Sequence, residues 1–500
     1  LPVVATLEEA LAKAASGGTI AVDEGEFATP ASLSQSVTVI GKCASRTSLK
    51  GDGFGIHTVS AVTATFKSVS FTGAPMVALL VDKHAKVTLD QVYVHGDNNG
   101  ADVGNGSQLT VRRSVFEGPK SSGNPNAATN GVFAIYGGQI TLDQVELRGY
   151  QNAVYAQSEK STLTLTNSVV RGQVGLKAEQ EALAAIAAFT GAKISIDGSH
   201  VESQPGRIAL VGSRLTNGQS DSTSPSNPPA HLTVTNGTLF QTLVPREAGS
   251  VIDVIDGAEF TLENVSLHHD SFVALSGSES SKITVSASVL TAEPSAADAR
   301  TALAGLSGAT FALDSTAIVG ATGTAIMLNG GSSAAIARSL IMGNREIAAP
   351  DVTKLAGAGQ ALAIAPTGKA TLSDTAFVAN EGTAIFLQGS TAQLDNVVVA
   401  GTHASKVGVR GIGVMSVDGA VLIRTSNLYK NDLALGIRRG RALLRDSTVN
   451  AHAEVARLDG VSFVQTSDAV EDAQDQELIA ARSTFSANTV LLSPKGLTDE

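Results

Sequence analysis

Sixteen segments of this chain align under one another as a single motif, seen in ATFKSVSFTG (64–73), KVTLDQVYVHG (86–96), QLTVRRSVFEG (108–118), QITLDQVELRG (139–149) and TLTLTNSVVRG (162–172). Each centres on an anchor: Phe66, Leu89, Val111, Leu142, Leu165, Ile196, Val234, Leu262, Val285, Leu313, Ile336, Leu372, Leu394, Ile423, Leu444 and Ala480. Two residues before the anchor and five after it, every copy is apolar. Three after it stands Val, Ser, Thr or Gly, a small inward column. Between anchor and small column lies mostly a polar residue, such as Asn167, Asn236 or Asp374, of the kind that bends a chain and tolerates unusual backbone angles. The motif reads strand, tight corner, strand. A third apolar run, as at 77–81, 132–136 and 324–328, precedes many anchors, so each repeat holds about three short strands.

Successive anchors lie 21 to 38 residues apart. Strands this short cannot close hairpins in series and still align every column, whereas stacking each turn on the last aligns them all. Backbone groups then pair with the turns on either side. The expected fold is all-β: a single-stranded parallel β-helix of about 17 coils. A chain of 500 residues with 43% hydrophobic residues is not disordered, and its even composition suits one repetitive architecture. A net charge of −11 with 4% aromatic residues sets nucleic acid aside as a partner. Cys43 is the single cysteine, which excludes an internal disulfide framework and predicts a small buried hydrophobe. No apolar run is long enough to span a membrane as a helix, and the chain opens on Leu1, which predicts a processed or trimmed chain.

Thr6 is placed to cap a helix over 7–15, with Glu9 completing a capping box and Gly17-Gly18 ending it. Such a helix would cover a strand edge. The expected divisions are a cap with the first coils (1–63), the coil with stacked loop insertions (64–490) and a tail (491–500). The helix, then Gly-Thr-Ile-x-Val (18–22), Val-x-Val-Ile-Gly (37–41) and coils of Leu-x-Leu-x-Asn-Ser-x-Val resemble the right-handed parallel β-helix, or pectin-lyase-like, superfamily with its PbH1-type repeats. The resemblance covers nearly the whole chain and implies right-handed winding, in line with the crossover rule. It also implies a range of activities, from polysaccharide lyases and glycoside hydrolases to adhesins, among which fold does not choose. Hydrolases of that superfamily carry Asn-Thr-Asp, Asp-Asp and Gly-His-Gly strings, and its lyases an arginine in an Arg-x-Pro context. This chain has none of them.

The residue after each anchor points outward and runs Lys67, Asp90, Arg112, Asp143, Thr166, Asp197, a charge ladder that fixes register. A second outward strip holds His95, Glu117, Arg148 and Arg171, the catalytic candidates, with Tyr93, Glu146, His200 and Glu202 as ligand-binding candidates. An acid, a base and guanidinium groups there would serve chemistry on an acidic polysaccharide if a carboxylate is left unpaired in a groove. Complete pairing favours a scaffold. Arg438, Arg439 and Arg441 form a basic patch for an anionic partner, against the plainer reading of a solvated rim. Asp97 and Asp102, in the loop 96–106, are candidate calcium ligands, against the plainer reading of a polar turn, and no other cofactor is expected. His268, His269 and Asp270 are adjacent on a strand and therefore do not converge as a triad.

From the tenth coil, Ala317, Val319, Leu340, Met342, Ala376, Val378, Val398 and Ala400 fall on outward positions, so a cover is expected. It is either the insertion 345–360 or another chain, which would make an oligomer through Val319, Leu340, Met342, Val378 and Val398. The insertions 119–130, 219–229, 293–300 and 403–410 recur at one place in the coil and are expected to stack as a wall. The functional expectation is a secreted or cell-surface scaffold that binds a surface glycan or protein. The alternative is a carbohydrate-active enzyme, a polysaccharide lyase or glycoside hydrolase.

Overall fold

At all sixteen positions two residues after an anchor the backbone turns through positive φ, from +45° at Thr425 to +59° at Asn236. Only Gly198 adopts this left-handed conformation there without steric cost. The next column offsets the cost elsewhere. Ser114, Ser168, Ser288, Ser339 and Ser426 are buried, and each hydroxyl accepts the backbone N–H of the same column one coil earlier, as Val92 N to Ser114 Oγ at 3.0 Å and Val397 N to Ser426 Oγ at 3.0 Å. The same hydroxyl donates to the carbonyl two residues before it, as Ser426 Oγ to Arg424 O at 2.6 Å. The choice of Ser or Thr in this column thus satisfies a corner N–H that no strand reaches.

The computed structural model describes residues 4–119, 129–172, 184–203, 207–212, 228–237, 239–242, 249–293, 298–347, 359–404, 411–459, 461–467, 470, 476–486 and 490–493. The chain forms two compact units: Leu1–Val244 with Ala258–Phe260, and Pro245–Gly257 with Thr261–Glu500. Each is a parallel β-helix built of three parallel sheets.

In the first unit the anchor sheet runs from Gly18–Val22 through Val37–Gly41 and Thr63–Lys67 to His231–Thr235. Its registers stack Ile20, Val39, Phe66, Leu89, Val111, Leu142, Leu165, Ile196 and Val234 in one row. The second unit repeats this from Val285 through Leu313, Ile336, Leu372, Leu394 and Ile423 to Leu444 and Ala480. All these anchors from Val39 onward are essentially inaccessible to solvent, and they form the core. After the corner, a second sheet of short strands begins, and a third sheet of longer ones completes the coil.

The helix is Leu7–Lys13, shorter than the span 7–15, with Glu9 N donating to Thr6 Oγ1 at 3.1 Å and Leu7 and Leu11 buried. Three expectations are corrected. Cys43 is exposed, its Sγ 3.2 Å from Ser45 Oγ, because it follows the strand Val37–Gly41 rather than lying within it. The charge ladder holds in part, with Lys67 4.0 Å from Asp90 and Arg424 3.8 Å from Asp395 along the column, and elsewhere runs diagonally. Asp90 takes Arg113, at 2.6 Å, rather than Arg112, because the left-handed corner aims residue 113 back along the coil axis. Likewise Asp446 takes Arg482 of the next coil. Finally, the strand Ser462–Thr466 escaped the motif: it pairs with Glu477–Ala481 on the side away from Arg441–Arg445, so a strand earlier in sequence lies further out.

The second unit also carries an internal polar ladder eight residues after the anchors. Asn344 N donates to Asn380 Oδ1 at 3.2 Å, Thr402 N to Asn431 Oδ1 at 2.9 Å, and Asn431 N to His452 Nδ1 at 3.1 Å. All five side chains are buried. His452 Nε2 lies 2.8 Å from Leu428 O, so that nitrogen carries the proton while Nδ1 accepts.

Candidate functional site

The predicted strip lies on the second sheet of the first unit, on strands Tyr93–Gly96, Val115–Glu117, Glu146–Arg148, Val169–Arg171 and His200–Ser203. Val94, Phe116, Leu147, Val170 and Val201 turn into the core, so their strand neighbours face outward. Register places His95, Glu117, Arg148, Arg171 and Glu202 in one row, and Tyr93, Val115, Glu146, Val169 and His200 in the next. All eight candidates are therefore together. Tyr93 Oη donates to Glu117 Oε2 at 2.6 Å, which also accepts from Arg148 at 3.1 Å. Glu146 meets Arg171 at 2.6 Å and Arg148 at 3.6 Å, and Glu202 meets His200 at 2.6 Å and Arg171 at 3.4 Å.

The electrostatics follow from these contacts. The Tyr93 hydroxyl first, and Arg148 beside it, hold the Glu117 carboxyl below its usual range. Burial, then the hydrogen bond to Glu117, pushes the Tyr93 phenol up to about 12. A general acid at neutral pH needs a raised carboxyl and a base needs an unoccupied one, so Glu117 suits neither. Glu117, Glu146 and Glu202 each have a partner on the strip.

A second constellation, missed in the sequence, lies on the third sheet of the same unit, on strands Asn99–Val103, Asn130–Ala134, Asn152–Gln157 and Ala184–Phe189. One outward row holds Leu80, Asp102, Phe133, Tyr155 and Ala187. The Phe133 and Tyr155 rings meet edge to face at 4.8 Å, and Phe189 lies 5.8 Å from Tyr155. A chain of asparagines three residues earlier on these strands adjoins Asp102. The Asn99 amide donates to its two oxygens at 3.0 and 3.2 Å, while Asn99 Oδ1 accepts Asn130 N at 2.9 Å and Asn130 Oδ1 accepts Asn152 Nδ2 at 3.0 Å. Burial pushes the Asp102 carboxyl up to about 6, against the Asn99 amide, which lowers it. It therefore exchanges a proton close to neutrality. The signal available in the sequence was the third apolar run. Variable insertions before that run hid its column alignment.

Asn99 presents N–H groups, not oxygen, to Asp102, and Asp97 lies 3.9 Å from His95. Among the described residues no group of three or more His, Cys, Asp and Glu side chains is placed to hold a metal ion.

In the second unit the basic patch is compensated by acids: Arg438 meets Asp459 at 3.3 Å, and Arg439 grips Asp418 with two bonds of 2.9 Å. His268 faces Thr291 at 2.9 Å while His269 is buried against Ser271 O at 3.0 Å, so the two do point apart. The outward apolar residues Val319, Leu340, Met342 and Val378 lie half-buried in consecutive coils, and Val398 is exposed. Most of the insertion 345–360 lies outside the described residues, as do most of 119–130 and 219–229 and parts of 293–300, 403–410 and the tail 491–500. No helix among the described residues is long and apolar enough to cross a membrane.

No family model and no curated protein matches the chain. Solved structures do. The catalytic unit of a thermostable GH87 α-1,3-glucanase from Streptomyces thermodiastaticus is 12% identical with a TM-score of 0.42, over 65% of this chain and 63% of that one. A PL6-family alginate lyase is 11% identical with a TM-score of 0.22, over 97% and 98%. The A-module of a mannuronan C-5 epimerase from Azotobacter vinelandii is 10% identical with a TM-score of 0.16, over 96% and 91%. Likeness at this level says nothing of chemistry.

Proposed function

We propose that this chain is an extracellular carbohydrate-active protein that engages an acidic polysaccharide on the outward face of the third sheet of its first unit. Phe133 and Tyr155 supply apolar ring surface for a sugar, and the Asn99 amide orders the carboxyl that handles the proton. The observation that carries this reading is Asp102: a half-buried carboxyl, charged or neutral within reach of neutral pH, in one row with two aromatic rings. The reaction class this suits is proton transfer during cleavage of a glycosidic linkage, as in a polysaccharide lyase or glycoside hydrolase.

The test is turnover on a panel of acidic and neutral polysaccharides by the wild type, Asp102→Asn and Tyr155→Ala. Loss of turnover in Asp102→Asn with binding retained, and weakened binding in Tyr155→Ala, is the expected pattern. Turnover unchanged by Asp102→Asn removes Asp102 from the chemistry. The second reading, a binding scaffold without turnover, is favoured by the pairing of Glu117, Glu146 and Glu202 on the second sheet. A wild type that binds glycan and cleaves none of the panel establishes that reading instead.

A further inference from the structure

The outermost strand of the anchor sheet in the second unit is Ser462–Thr466, because Glu477–Ala481 takes the place beside Arg441–Arg445. The sequence explains the order. Leu478 and Ala480 continue the two inward rows in buried positions, whereas the outer strand sets Phe463 and Gln465 on those rows, and an amide side chain suits only the exposed end. Ser462 N donates to Gln476 O at 2.9 Å, and Thr466 O accepts Arg482 N at 2.9 Å, so residues 462, 464 and 466 direct their backbone groups at the neighbouring strand. In a parallel pair the alternate residues point theirs the other way, so the N–H and C=O groups of Phe463 and Gln465 face off the end of the sheet. Among the described residues no strand pairs with that side.

An open edge is ordinarily blunted by a charge, a proline or a bulge, and this one carries none of them. On the outward side Val464 ends a row of Leu422, Leu443 and Ile479, along which exposure rises from 2% at Leu443 to 9% at Ile479 and 44% at Val464. The apolar row is cut off at its tip. The strand is also complementary to itself. Laid antiparallel against a copy about Val464, it sets Phe463 opposite Gln465 of the second copy, so that their outward N–H and C=O groups exchange both bonds, and the symmetry repeats this on the other side. Val464 then meets Val464 of the second copy at the close, non-hydrogen-bonded position, and the apolar row runs on into the second molecule. No like charges meet within the strand pair, although the whole chain carries −11. We propose that two copies of this chain join end to end through Ser462–Thr466 as a closed two-fold dimer. The contact does not involve Asp102, which belongs to the other unit, so it stands or falls independently of sugar binding.

The experiment is sedimentation equilibrium of the full chain at concentrations up to ~100 μM, where the wild type gives twice the mass of one chain and nothing larger. Gln465→Pro removes an outward N–H and leaves the pairing with 477–481 intact, so it weakens association by about 10-fold or more, with the urea midpoint at low concentration unchanged. Val464→Lys sets two ammonium groups against each other across the two-fold and has the same effect. In a Cys43→Ser background, Val464→Cys cross-links to a covalent dimer under oxidised glutathione, whereas Ser462→Cys, which faces residue 466 of the second copy, does not. A monomeric wild type, assemblies beyond two copies, unaltered association in both Gln465→Pro and Val464→Lys, or equal cross-linking from position 462 overturns the proposal.

Discussion

Tyr93 and Glu117 sit on successive coils and are joined by a phenol-to-carboxylate hydrogen bond of 2.6 Å. The bond stabilises the neutral phenol and the ionised acid together. Glu117→Gln should therefore bring the Tyr93 ionisation down from about 12 toward the ordinary 10, though not fully, since burial is the larger cause. The chain has five tyrosines and no tryptophan, so ultraviolet titration with Tyr93→Phe as the assignment control reads this directly. An unmoved phenol in Glu117→Gln would show that the bond is not formed in solution.

Asp102 costs stability at neutral pH. Its folded carboxyl keeps the proton to about 6 while the unfolded one releases it near 3.8, so stability falls as pH rises through that window. The full loss is on the order of 3 kcal/mol above pH ~6. Asp102→Asn should thus be more stable than wild type by about 1–3 kcal/mol at pH ~8, and no different below pH ~4, in urea unfolding. A variant less stable at pH ~8 would contradict the burial argument. The same measurement guards the turnover test against misfolding.

His269 works in the opposite sense. Burial first, with Arg300 and His268 adding to it, lowers its imidazole to about 4 from an ordinary 6.5. The unfolded state takes up the proton first, so stability is lost as pH falls from about 6.5 to about 4 and levels below, by roughly 3 kcal/mol. Its Nδ1 faces Ser271 O at 3.0 Å, a contact that an asparagine amide can replace. His269→Asn should flatten the difference in melting temperature between pH ~7 and pH ~4.5 relative to wild type. A parallel acid limb in both proteins would place the lost stability elsewhere.

Thr425 holds φ at +45°, a conformation that a β-branched residue adopts only under strain. Asn occupies the same corner at 167, 236, 264 and 396. Thr425→Asn is expected to raise stability by about 0.5–1 kcal/mol, visible as a higher denaturation midpoint at unchanged slope.

Ser339 Oγ accepts Thr316 N at 3.1 Å and donates to Ala337 O at 2.7 Å inside the wall of the coil. Ser339→Ala leaves a buried N–H without a partner, at a cost of about 1–3 kcal/mol. Hydrogen exchange at the Thr316 amide should quicken in the variant. An unchanged rate and stability would mean that water replaces the hydroxyl.

The anchor rows, the inward small column and the outward strip of Tyr93 to Glu202 were legible because each recurs at a fixed offset, and identical offsets stack by geometry. The row of Asp102, Phe133 and Tyr155 was not, because its strands follow insertions of unequal length and no constant offset marks them. Cys43 was misjudged for a related reason: burial depends on whether a residue lies in a strand or beyond its end, and the boundary at Gly41 is not a property of composition.

Amino-acid order alone determined that this chain coils, which residues face inward, and where each corner falls, because periodic apolar columns and turn-prone residues are local facts. Tertiary structure decided the pairings. Asp90 chose Arg113 over Arg112, and Glu117 became a held carboxylate rather than an acid. It also half-buried Asp102, and the lost solvation raised its proton affinity. Such outcomes depend on distances of a few ångströms between coils, and desolvation and Coulomb attraction take their size from that spacing.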